Sequence, residues 1–222
     1  MDLSSRILFI DGEAIVIDKP AGLPVAPPRN GGLSLDNYLS HLTMGFQKWP
    51  EPVHRLDRDT SGCLLLARNL KALKRFGAAF EHRRVGKRYL AVLDGHLEDD
   101  SGTIDLALAK ISSAEAGWRM VPDPTGKAAV THWQRIAEID GKSLVSFTPE
   151  TGRTHQIRVH ALHGLGAPVA GDPVYGDSTG AMLLHSEWIK VERDNKPPVE
   201  ATAPVPPTFA QAGFDVDALR SA

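Results

Sequence analysis

The densest chemistry in the sequence is the run Pro52–Ser61, P-V-H-R-L-D-R-D-T-S, with Gly62 following. Two carboxylates, Asp57 and Asp59, stand among two guanidiniums, Arg55 and Arg58, directly before the apolar run Cys63-Leu64-Leu65-Leu66-Ala67. Unpaired charge beside a buried strand costs several kcal/mol, so these groups need a use. A carboxylate among arginines stays ionised, which suits either a nucleophile or a structural ion pair. Asp57 and Asp59 would share a face of an extended strand, as a metal site or a carboxylate pair requires. No third oxygen ligand follows, however, and guanidiniums repel a divalent cation. Asp59 reads as a shaper of the Thr60-Ser61-Gly62 turn. For Asp57 the local run leaves ion pair and catalytic group evenly matched.

A second cluster is Gly152-Arg-Thr-His-Gln-Ile-Arg-Val-His160. Arg153, His155, Arg158 and His160 fall near the start of a helix, where free backbone N–H groups suit anions. The two histidines are not spaced i, i+4, and no cysteine joins them, so a zinc site is not expected. Hydrogen bonding that shapes the helix is the plainer reading of both. Arg158 stands apart: it can leave the helix toward an acid elsewhere, and Asp57 needs such a partner. Gly171-Asp-Pro-Val-Tyr-Gly176 reads as ordinary turns, and Tyr89 as a core aromatic on a strand.

The elements that must carry these groups follow from pattern. Ile7–Ile10, Asp11-Gly12 and Ala14–Ile17 predict a β-hairpin. Lys19–Pro24 is a loop. Ser34 is placed to cap a short helix with Leu35, Tyr38, Leu39 and Leu42 on its apolar face. Asn69 caps a helix from Leu70 to His82, with Leu70, Leu73, Phe76 and Phe80 apolar and the other face basic. Strands are expected at 87–94, 103–108, 130–139 and 143–148, the last two joined by a turn at 138–142. Thr154 caps a helix through His163 that Gly164 ends. Short late strands fall at 182–185 and 188–191, and Pro197-Pro198 breaks any longer element. Tight turns between strands imply an α+β fold: a mixed, largely antiparallel central sheet with flanking helices and a catalytic cleft, not a doubly wound parallel one. One domain over 1–222 is the simplest organisation.

The chain has 222 residues, 42% of them hydrophobic, and a net charge of −2, so no global basic field announces a nucleic-acid partner. Its one cysteine, Cys63, leaves no disulfide framework, which fits a reducing cytoplasm. No apolar stretch approaches the roughly 20 residues of a membrane span, and the start lacks a signal peptide's pattern. Charge is nevertheless local: Arg68, Lys71, Lys74, Arg75, Arg83, Arg84, Lys87 and Arg88 are opposed only by Glu81 between Arg68 and Arg88.

Taken in order, Asp18-Lys-Pro-Ala-Gly-Leu, His54-Arg-Leu-Asp-Arg-Asp-Thr-Ser-Gly62, Lys87-Arg-Tyr-Leu-Ala-Val, and Gly152–His160 with Gly171-Asp and Tyr175-Gly resemble the RluA-type pseudouridine synthases. The resemblance runs from about Ile7 to His185, and its two arginine motifs are specific. It implies the pseudouridine synthase fold and the isomerisation of selected uridines in a transfer RNA or ribosomal RNA stem-loop. The protein would act as a monomer, with no cofactor, metal, nucleotide or membrane. By the same resemblance Asp57 is the catalytic aspartate, Arg158 the arginine that pairs with it, and Tyr89 the ring that stacks on the target base. Arg55 would enter the space the flipped base leaves. His54, Arg58, Lys87, Arg88, Arg153 and His155 complete an RNA-contacting set. The family's small N-terminal RNA-binding domain is not expected here, so the catalytic domain's own loops, Arg29-Asn30-Gly31-Gly32 among them, would choose the RNA. Two other classes compete: a non-catalytic RNA-binding protein on this scaffold, and a hydrolase using Asp57 and Asp59 as a carboxylate pair.

Overall fold

In the computed structural model, which describes residues 1–28, 31–113 and 117–221, the Asp11-Gly12 turn joins β1 (Ile7–Ile10) to β2 (Ala14–Lys19) in an antiparallel hairpin. The Asp11 carboxylate closes the turn by accepting the N–H groups of Glu13 and Ala14 at 2.8 and 2.9 Å. Arg29 and Asn30 of the loop singled out above lie outside the described residues. Two short 3-10 turns, Leu35–Asn37 and Leu39–Leu42, stand where one short helix was expected. Ser34 takes the cap position of the first of them, where the Asn37 side chain accepts the Ser34 N–H at 2.9 Å.

A two-residue β3 (Glu51–Pro52) precedes β4 (Ser61–Ala67), every residue of which is buried. Helix α1 (Leu70–Glu81) starts as expected, with Asn69 accepting the Ala72 N–H at 2.9 Å. Of the predicted apolar face, Leu73, Phe76 and Phe80 pack on the core together with Ala72 and Ala79, and Leu70 alone is 61% exposed. Strand β5 (Val85–Leu93) follows, then β6 (Ser101–Asp105) and a hairpin of β7 (Leu108–Ser113) and β8 (Gly117–Pro122). The single strand expected over 103–108 is thus two, and the β7–β8 hairpin is new; its Ser, Ala and Gly residues give no alternating signal. Strands β9 (Val130–Ile139) and β10 (Lys142–Pro149) form the predicted hairpin, its turn made by Asp140 and Gly141 at φ 51° and 73°.

Helix α2 spans Gln156–Leu165. Thr154 does not cap it: His155 takes the cap position at φ 53°, in the left-handed region, and Gly166 rather than Gly164 ends the helix. The two short late strands are one, β11 (Leu184–Arg193), followed by β12 (Lys196–Thr202). Pro197-Pro198 does not break β12, because the prolines lie at a register shift on a strand paired on one side only, where a missing N–H costs no ladder bond. Helices α3 (Pro207–Gln211) and α4 (Val216–Ser221) end the chain.

The chain forms two compact units, Met1–Lys87 with Ser186–Val205 and Arg88–His185 with Pro206–Ala222. In the first, β1-β2-β4-β11 are neighbours, with β12 on β11 and β3 on β4. Its core joins Val16, Cys63, Leu65, Phe76, Ile189 and Val199. In the second, β5-β10-β9-β6 are neighbours and β7–β8 stands apart as a two-stranded sheet. Its core joins Leu93, Trp133, Phe147, Ile157, Val169 and Leu184. The architecture is α+β, mixed and largely antiparallel, as expected.

Candidate active site

The Asp57 loop lies in the first unit, between β3 and β4. Leu56 is buried, Arg55 and Arg58 are exposed, and Asp57 and Asp59 are half-buried. The Thr60 N–H donates to the Asp57 carbonyl at 3.2 Å, closing the turn. Arg58 binds Asp59 from Nε at 3.0 Å, so the Asp59 carboxylate is engaged within the loop. Gly62 sits at φ 102°, and a Cβ there would stand 2.2 Å from the Ser186 carbonyl oxygen. Only glycine lets the chain turn out of the charged run and enter β4 against β11.

Behind the loop, the Asp18-Lys-Pro-Ala-Gly-Leu stretch supplies a residue whose duty the sequence alone does not reveal. Lys19 is fully buried, and its Nζ donates to the carbonyls of Pro20, Leu23 and Arg58 at 2.8, 3.0 and 3.0 Å. The Gly22 N–H reaches the same Arg58 carbonyl at 2.9 Å. Burial pulls the Lys19 ammonium down to about 8, against the pull of the Asp59 and Asp57 carboxylates. A cation is therefore fixed beneath the aspartates by backbone oxygens. The available signal was a lysine closing a strand of Ala and Ile residues ahead of Pro-Ala-Gly, whose carbonyls must find donors.

His54 has a structural duty in the same unit. Its Nε2 accepts the Leu65 N–H at 3.0 Å and its ring stacks on Phe80 at 4.6 Å. Burial, with the charge of Lys87 adding to it, pushes the imidazole down to about 3, so the ring is neutral with its proton on Nδ1. Burial also brings Lys87 down to about 8. The basic stretch divides by role. Arg68 is buried and donates to the carbonyls of Asp11, Thr43 and Met44. Arg75 binds Glu13 at 2.6 Å. Lys71, Lys74, Arg83 and Arg84 are exposed.

Tyr89, Arg88, Arg153, His155 and Arg158 belong to the second unit. Tyr89 lies opposite Phe147 on β5 and packs half-buried on the core. Arg158, on the first turn of α2, is 4% exposed. Its Nε and one terminal nitrogen bind both oxygens of fully buried Asp172 at 2.7 Å each. Burial raises the Asp172 carboxyl, but the bonds and charge of Arg158 and the N–H groups of Val174 and Tyr175 outweigh it and hold it below the usual range. The sequence had offered Gly171-Asp172 as an ordinary turn; the buried partner of Arg158 was in it.

The rest of the second motif is stitched to the sheet. Gln156 accepts from Thr151 and the Arg153 N–H and donates to Val130 and Thr131. His160 is buried between Thr131 and the Leu106 carbonyl, at 2.9 and 3.1 Å, which is the helix-shaping role expected of it. Arg153 donates to the Ala128 carbonyl at 3.0 Å. His155 Nδ1 stands 2.9 Å from the Tyr175 hydroxyl. Cys63 is buried, with its thiol pushed up to about 12 by burial, and is unsuited to nucleophilic work. Among the described residues no group of three or more His, Cys, Asp or Glu is placed to hold a metal ion. Among them no helix is long and apolar enough to cross a membrane.

Residues 13–163 match the family described as RNA pseudouridylate synthase. The chain is 55% identical over 216 residues to an uncharacterized RNA pseudouridine synthase of Zymomonas mobilis, covering 96% of this chain and 99% of that one. It is 37% identical over 190 residues to ribosomal large subunit pseudouridine synthase D of the same bacterium, covering 81% of this chain and 58% of that one. Among solved structures, human RNA pseudouridylate synthase domain containing 1 is similar at TM-score 0.75 and 29% identity, covering 97% of this chain and 94% of that one. Human RNA pseudouridylate synthase domain containing 4 has the same fold, at TM-score 0.80 and 24% identity over 98% and 94% of the two chains.

Proposed function

The chain belongs to the RNA pseudouridylate synthase family, an isomerase class, and from that premise we propose that it converts uridine to pseudouridine in structured RNA with Asp57 as the catalytic carboxylate. The RNA is a transfer RNA or large-subunit ribosomal RNA stem-loop. The glycosidic nitrogen–carbon bond breaks, the uracil turns, and a carbon–carbon bond forms through carbon 5, with no net redox change and no water consumed. The carboxylate either attacks covalently or stabilises the separated sugar and base. The observation that carries the reading is the Asp57 loop itself: a half-buried carboxylate on a turn pinned from behind by the buried Lys19 ammonium.

The remaining roles come from the resemblance. Arg158 serves the aspartate during the reaction, with Asp172 holding it in place. Tyr89 stacks on the target base and Arg55 enters the space the base leaves, where a flat guanidinium can stack and bind phosphate. Arg58, Lys87, Arg88, Arg153, His155 and His54 contact the RNA. The exposed Lys71, Lys74, Arg83 and Arg84 add phosphate contacts. The protein works as a cytoplasmic monomer without cofactor. Asp59, bound by Arg58, suits the turn-shaping role better than a carboxylate pair. The test is Asp57→Asn, assayed for pseudouridine formation and for RNA binding: the variant binds RNA and makes no product. Undiminished turnover would remove Asp57 from the chemistry.

A further inference from the structure

Around Tyr175 the second unit gathers contacts that the proposed reaction leaves unused. The Tyr175 hydroxyl accepts the Met120 N–H of β8 at 3.0 Å and lies 2.9 Å from His155 Nδ1. Its ring lies 5.1 Å from the Arg158 guanidinium carbon and meets the His155 ring edge-on at 5.6 Å. His155 in turn packs on Trp118 of β8 at 5.0 Å, and Lys110 Nζ of β7 stands 5.2 Å from the Trp118 ring. Trp118 is 47% exposed.

His155 and Arg158 are three apart, so they share one side of the start of α2, and both touch the same tyrosine. His155 is held at φ 53°. For a residue with a Cβ that conformation is strained and persists only where neighbours enforce it. Its neighbours here are the Tyr175 hydroxyl and Trp118. The hydroxyl accepts the Met120 N–H and also meets His155 Nδ1 at 2.9 Å. The hydroxyl thereby ties β8 to the first turn of α2. The ring, separately, gives the buried guanidinium a flat wall opposite the directional grip of Asp172. An exposed tryptophan with a lysine over it, on a hairpin tied this way, has the chemistry of a stacking face for an unpaired nucleobase.

We propose that Tyr175 is a positioning residue with two separable duties: its ring sets the Arg158 guanidinium, and its hydroxyl latches the β7–β8 hairpin so that Trp118 can stack on an RNA base outside the target uridine. This rests on the proposed role of Arg158. Two readouts therefore accompany activity: the nitrogen-15 signal of the Arg158 Nε–H, and hydrogen exchange of the Met120 amide in the free protein. Tyr175→Phe should speed Met120 exchange by about tenfold or more. With unmodified large-subunit ribosomal RNA and transfer RNA transcripts as probes, it should raise the half-saturating RNA concentration by roughly five- to tenfold, at the lower end of the effect of removing a base stack. Its single-turnover rate at saturating RNA should stay within about twofold, because the ring remains. Tyr175→Met should shift the Arg158 signal and slow that rate by roughly ten- to hundredfold, as a displaced catalytic group does. Tyr175→Phe combined with Trp118→Ala should bind RNA no more weakly than Trp118→Ala alone. Unchanged Met120 exchange and RNA affinity in Tyr175→Phe would overturn the latch. An unmoved Arg158 signal in Tyr175→Met would overturn the positioning. If the unaltered protein turns over neither transcript, the proposed function falls, and the two spectroscopic readouts still decide what Tyr175 does.

Discussion

At the scale of single residues, the contrast between Arg158 and Arg58 is instructive. Both bind a carboxylate, but the Arg58–Asp59 pair is on the surface and the Arg158–Asp172 pair is buried. Exposed pairs contribute little, whereas breaking a buried pair from one side leaves an uncompensated charge. Asp172→Asn keeps the shape and removes the charge. Its expected cost is about 3–5 kcal/mol of stability, read from denaturant midpoints, together with a slower reaction. A variant as stable as the parent would mean that Arg158 finds another partner at no cost. Residue types were legible in the sequence where they clustered: Asp57 and Arg158 stood out in their charged runs, whereas Tyr89 entered only through the family resemblance. The duties of Lys19, Asp172 and Tyr175 were not legible, although each falls in a quoted stretch, because a motif does not show which carbonyls, guanidinium or ring its residues meet in the fold.

At the scale of elements, β4 and α1 are joined by a histidine that must be neutral to do so. His54 is held at about 3 in the folded chain, against the ordinary 6.5. Below pH 6.5 the unfolded chain therefore binds a proton that the folded chain does not. This contribution to stability is complete above about pH 6.5 and is lost as the pH falls toward 3, with a slope of at most about 1.4 kcal/mol per pH unit. His54→Gln retains an acceptor for the Leu65 N–H but cannot titrate. Urea denaturation of that variant across pH 3.5–6.5 should show a shallower decline than the parent. Parallel declines would assign the acid sensitivity to other groups. Hairpins with Asp-Gly turns, β1–β2 and β9–β10, were readable because the turn chemistry and flanking β-branched residues agree. The β7–β8 hairpin was not, since Ser, Ala and Gly carry no period. The start of α2 was misread because a strained His155, held by Tyr175, replaces the local cap that Thr154 seemed to offer.

At the scale of the whole molecule, the proposed function requires a chain with net charge −2 to bind RNA through local basic surface. The exposed cations of α1 are the accessible part of it, since Arg68 and Arg75 are committed to structure. Replacing Lys71 and Lys74 by Gln should weaken RNA binding at low salt and lower the salt slope by about 0.7–0.9 for each phosphate no longer neutralised. An unchanged slope would place the RNA elsewhere. The fold class was legible because strands joined by tight turns dictate an antiparallel sheet. The substrate was not, because no motif of the sequence names an RNA. The central claim, that this chain makes pseudouridine with Asp57, is tested most directly by mapping pseudouridine in total RNA from cells that lack this protein, complemented with either the parent chain or Asp57→Asn. One or more uridines in transfer or ribosomal RNA should become pseudouridine with the parent and remain uridine with Asp57→Asn at equal protein levels. Identical maps from the two complemented strains would contradict it.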